Sequence, residues 1–86
     1  QNKNFDAFKL TLRPKRIASA NLNDAYPNTM GININVCVPN DKNVPSAHTG
    51  FLVSFYYDVN ARIQVYYPID ENKIYRRQGT GSWSTI

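Results

Sequence analysis

The sequence predicts a small, mainly β domain, on three observations. Apolar residues recur with a period of two in several segments, and no stretch sustains helical spacing. Pro, Asn and Gly punctuate those segments at short intervals. Neutral polar residues stand where charge is usual: 19% of the 86 residues are charged, 11 are Asn, and the sole Glu is Glu71. That is a poor basis for exposed helices. A chain this short makes one domain, 1–86, with a thin core, because it hides only about 60% of its unfolded surface.

Taken in order, Phe8, Leu10 and Leu12 alternate with Lys9, Thr11 and Arg13, a strand that Pro14 ends. Residues 17–25 carry two readings. Ile17, Ala18, Ala20, Leu22 and Ala25 form either a short helix stopped by Pro27 or an irregular, bent segment. In Met30 to Val38, the residues Ile32, Ile34, Val36 and Val38 share one side, and Asn33, Asn35 and Cys37 share the other. This alternation predicts a strand with its Asn side wet. Pro39 to Thr49 reads as a long solvated crossover carrying the sole His, His48. Phe51 to Tyr57 is apolar on both sides, hence a central strand. Turns at 58–60, 68–72 and 79–81 separate the strands Arg62 to Tyr67, Lys73 to Arg77 and Trp83 to Ile86. The expected architecture is a small antiparallel sheet or sandwich of five to six strands with a C-terminal meander. Its core should rest on Ile32 to Val38 and Phe51 to Val65.

Chemistry is sparse. Cys37 and His48 are the only thiol and imidazole, and nothing in their spacing orders one against the other. Asp70 and Glu71 sit in a turn, which explains them without acid–base work. One His, one Cys and six scattered acids match no zinc or calcium spacing. Gly79-Thr80-Gly81 lacks the context of a phosphate loop. No catalytic, cofactor or metal residue is assigned, and an enzyme is the least expected class. A single cysteine excludes an internal disulfide framework and leaves Cys37 either free or bonded to another chain. Stability then rests on the domain's own packing, on a neighbouring chain, or on a reducing compartment. No apolar run reaches transmembrane length.

Basic and aromatic residues together are the most informative feature. Aromatics make 13% of the chain and the formal charge is +4. Tyr56, Arg62, Tyr66, Tyr75 and Arg77 fall on one side of the C-terminal strands, with Arg76 and Trp83 nearby, and form the candidate partner-binding set. Lys9, Arg13, Lys15 and Arg16 are an alternative basic patch. Cross-strand support within a sheet face explains the same pattern without a partner.

The series Phe55-Tyr56-Tyr57-Asp58, Ile63, Tyr66-Tyr67, Asn72-Lys73-Ile74-Tyr75-Arg76-Arg77 and Gly81-Ser82-Trp83-Ser84-Thr85-Ile86 resembles the closing strands of a type IV pilin or pseudopilin β-sheet domain. The resemblance covers about the last third of the chain and is a hairpin cadence, without the long apolar N-terminal helix of those families. It implies a globular part alone, and no functional residue carries over. The expectation is a non-enzymatic interaction or assembly module, extracellular or at the cell surface, that self-assembles or binds a protein. The alternatives are a module for a polyanion (nucleic acid or anionic glycan) and a small secreted effector or inhibitor.

Overall fold

The computed structural model describes residues 13–16 and 21–86. It is one six-stranded sheet in the order β1-β2-β3-β4-β5-β6: Lys15–Arg16, Gly31–Cys37, Gly50–Asp58, Ala61–Pro68, Tyr75–Gln78 and Ser84–Thr85. Strands β2 to β6 form an antiparallel meander, whereas β1 lies parallel to β2. The sheet is therefore mixed but mainly antiparallel, the small β domain of five to six strands with a C-terminal meander that the sequence predicts. The first expected strand, Phe8 to Leu12, lies outside the described residues, as do Lys9 and residues 17–20.

No helix forms over 21–25. Leu22–Asp24 make a single 3-10 turn, capped where the Asn21 side chain accepts the Asn23 N–H at 3.0 Å. Asn and Asp compete for the backbone locally and favour such caps over a helix interior. Among the described residues, no helix is long and apolar enough to cross a membrane.

The meander follows from its turns. At Val59–Asn60, the Asp58 carboxylate accepts the Asn60 N–H at 2.8 Å, and the register shifts between Tyr56 and Asp58. Gly79 reverses the chain at φ 57°, a left-handed conformation that glycine adopts without steric cost. Gly50 is required for another reason. A Cβ there would stand 2.5 Å from the Tyr67 carbonyl and 2.8 Å from the Tyr66 ring.

The main core lies on one side of the sheet, with Val65 buried on the other. Leu22, Ala25, Cys37, Leu52 and Tyr66 are its buried centre, flanked by Val44, Tyr75 and Trp83. Its cover consists of the segment 21–30 and the crossover 38–49, which are irregular chain. Leu22 N–H to Lys42 O, at 3.0 Å, joins the two. The crossover is pinned by Asp41, which is buried, takes a bidentate pair from Arg16 at 3.0 Å, and accepts the Val38 N–H at 2.9 Å.

The side that is covered is the Asn side of β2, which overturns the reading of that side as wet. Asn35 is buried and Asn33 half-buried, while Ile32 is 53% exposed. The reason is the nature of the cover. Irregular chain carries backbone carbonyls with no ladder partner, and these need donors from beneath. Asn33 Nδ2 donates to Ala25 O at 3.1 Å, Gln64 Nε2 to Leu22 O at 2.7 Å, and Tyr66 OH to His48 O at 2.7 Å. A polar face is what such a roof requires.

Candidate interaction surface

Five of the candidates named from the sequence do share a face. The register sets Tyr56 opposite Arg62, Tyr66 opposite Tyr75, and Gln64 opposite Arg77. That face is the covered one, so Tyr66 is fully buried and Arg77 is 2% exposed. Neither has surface to offer a partner. Tyr66 packs at the core centre, and burial is the first cause that pushes its hydroxyl far above the ordinary tyrosine range.

Arg77 lies in a polar row with Gln64, Ser54 and Asn33. Its Nε donates to Gln64 Oε1 at 2.8 Å and its guanidinium lies 4.7 Å from the Trp83 ring centre. Its Nη2 is buried without a hydrogen-bond partner. Burial lowers its pKa, and the charge of Arg62 lowers it further. Trp83 in turn donates its indole N–H to Asn43 O at 2.8 Å, fastening the crossover. Tyr75 bonds Glu71 at 3.0 Å, and Ser46 Oγ donates to the same carboxylate at 2.6 Å. The Ser46 bond is the main reason that the Glu71 carboxyl lies below its usual range.

Arg76 stands apart. It pairs in register with Val65 and Ser84, on the opposite side from Arg77. In the alternative basic patch, Arg13 and Lys15 are exposed and Arg16 is engaged by Asp41. Cys37 is buried, and its thiol is pushed up to about 11, first by burial and then by the Asp41 charge. Among the described residues no three His, Cys, Asp or Glu side chains gather as a metal site.

The surface that sequence reasoning missed is on the other side. Ile32, Phe55 and Ile63 form one row across β2, β3 and β4; Ile34, Val53 and Val65 form the next; Val36, Phe51 and Tyr67 form the third. Phe51, Phe55 and Tyr67 are 38%, 39% and 43% exposed. Val65, at the centre of the block, is buried, and Ile34, Val36, Val53 and Ile63 are half-buried, while the main core cluster lies on the far side. A cleft of about 610 Å³ opens at one end of this face, over Ile32, Phe55 and Ile63, with Arg76 and Gln78 on its rim. The signal was present in β3, apolar on both sides, which one thin core does not need. No protein family, curated protein or solved structure matches the chain.

Proposed function

We propose that this chain is a non-enzymatic interaction and assembly module, a subunit of an extracellular surface structure such as a pilus-like filament. The carrying observation is a block of nine apolar side chains, three deep and three wide, on β2 to β4, in which Ile32, Phe51, Phe55 and Tyr67 are exposed around a buried Val65. From strand geometry it measures about 17 by 14 Å, roughly 240 Å² in plan. Contiguous apolar patches of that order mark interaction sites. The occupant is a neighbouring copy of the chain. The patch falls short of the roughly 800 Å² per partner of a stable pairwise interface, so it serves as one contact among several in a repeating assembly. The likeness to a pilin globular domain is in keeping with this reading.

The polyanion alternative draws less support. Arg62 and Arg77 lie on one side of the sheet and Arg76 on the other, so the cations do not form one track.

Sedimentation velocity across a wide concentration range, with electron microscopy of the concentrated protein, tests the proposal. It expects mass-dependent association that weakens when Phe55 becomes Asp. A strict monomer at every concentration, with no ordered assembly on the grids, overturns it.

A further inference from the structure

A second surface feature is independent of the apolar face. Beside the β3–β4 hairpin, an open cleft of about 400 Å³ is lined by Asn23, Asp24, Tyr26, Asn28, Tyr56 and Arg62. The Tyr26 and Tyr56 rings stand 6.3 Å apart and tilted by 52°; Tyr26 is buried, its hydroxyl donating to Gly79 O, and Tyr56 is half-buried and presents an aromatic wall. The Arg62 guanidinium lies 4.8 Å from the Tyr26 ring centre. Among the described residues no carboxylate pairs with it and no acceptor takes its hydrogen bonds, and its Nε is buried without a partner. Arg77 lies close enough for the two like charges to oppose each other, and both bear on the Tyr26 hydroxyl. Burying guanidinium charge without an anion is costly, and a ligand carboxylate would offset that cost.

The remaining lining narrows the ligand. A guanidinium fork suits a carboxylate, bound through two parallel N–H donors. The Tyr56 ring suits the C–H face of a sugar ring. Asn28 presents an amide, the Asn23 side-chain oxygen is buried beneath without a donor, and the exposed Asp24 carboxylate has no cation partner among the described residues. Amide and carboxylate groups take hydroxyl hydrogens. Asp24 also repels a ligand carrying several negative charges. The volume falls in the range that holds one small ligand. We propose that this cleft binds a saccharide carrying a single carboxylate, a hexuronic or sialic type of sugar, with Arg62 on the carboxylate and Tyr56 against the ring.

Amide-resolved NMR titration of the whole chain tests this with four probes: glucuronate, glucose, acetate and inorganic polyphosphate. Glucuronate is expected to bind with a dissociation constant of about 1 mM and to shift the amides of 23–28 and Arg62. Glucose and acetate should each bind at least ~10-fold more weakly, since each offers half of the ligand. Arg62→Gln should cost a similar factor. Should that variant lose its dispersed spectrum, Arg62→Lys keeps the charge and removes the fork, and it should still weaken glucuronate. Silence at these amides with glucuronate overturns the proposal. So does acetate binding as tightly as glucuronate, which leaves a bare anion site. Polyphosphate binding more tightly than the sugar, or unchanged affinity in the folded Arg62 variants, overturns it equally.

Discussion

Asn33, Ser54, Gln64 and Arg77 lie in one row across four strands, and irregular chain covers them. Ile34, Val53, Val65 and Arg76 lie in the adjacent row, where Val65 is buried, Ile34 and Val53 are half-buried and Arg76 is exposed, away from the main core cluster. The two rows belong to the same strands and differ only in which way each residue points. What separates them is the roof. A second sheet or an amphipathic helix satisfies its own backbone and asks only for apolar contact. The segments 21–30 and 38–49 do not, and their carbonyls draw donors from Asn33, Gln64, Tyr66 and Trp83. Burial here follows hydrogen-bonding capacity as much as hydrophobicity.

The sharpest way to break this comparison is to make the covered row apolar. Gln64 is fully buried and makes three side-chain bonds: to Leu22 O, to Ser54 Oγ and from Arg77 Nε. Gln64→Leu keeps the volume, leaves Leu22 O with only the Ala25 N–H, and takes the acceptor from Arg77 Nε, whose guanidinium keeps Gly81 O alone. The expected loss is about 3 kcal/mol, read as a lower urea midpoint at unchanged slope. If the variant is neutral, the polar row does not hold the roof.

Tyr66→Phe is the next test. It removes one hydroxyl from the core centre and keeps the ring that rests over Gly50. The His48 carbonyl then loses its donor. The expected cost is about 1–2 kcal/mol by the same measurement, with protection of the 38–49 amides reduced in hydrogen exchange.

Much of this arrangement was legible in the residues. Period-two alternation located β2, β3, β4 and β5 to within a few positions, and it grouped Tyr56, Arg62, Tyr66, Tyr75 and Arg77 on one face correctly. Which face is dry was not legible. Alternation divides a strand into two sides, and hydropathy then assigns the apolar side to the core. That rule presumes a cover with no hydrogen-bonding needs of its own. The cation cleft was half legible. Tyr56 and Arg62 were grouped from the pattern, but Asn23, Asp24 and Tyr26 reach it through a 3-10 turn that no period announces. The pairing of β1 with β2 spans two residues at a separation of 20 positions, too short a contact to leave a pattern.

The covered face also predicts behaviour in alkali. An unfolded Cys37 ionises near 9.0 and the folded thiol near 11, because burial disfavours the thiolate. The unfolded chain therefore releases its proton first. The stability tied to this group is fully present below pH 9 and falls as pH rises from 9 toward 11. Tyr26 and Tyr66, both raised by burial, act in the same direction at higher pH. Denaturation across this window should show falling stability, less steep in Cys37→Ala. Identical slopes in the two proteins would mean that the thiol is not held neutral by the roof.

The smallest effect is expected where hydropathy alone would place the largest. Ile32 and Phe55 face each other on the uncovered side, 53% and 39% exposed. Replacing both with Thr keeps two strand-forming residues opposite each other, where their side chains still pair across the ladder. Ile32 is already about half in water and Phe55 more than a third, so part of the area at stake was never withdrawn. The monomer should lose about 1 kcal/mol or less, below the cost of one hydroxyl at Tyr66. Association in sedimentation should weaken far more than that stability does, since the changed groups meet a neighbour rather than the core. A loss of stability as large as that of Gln64→Leu would show instead that this face is covered within the chain, and the contrast between the two sides would collapse.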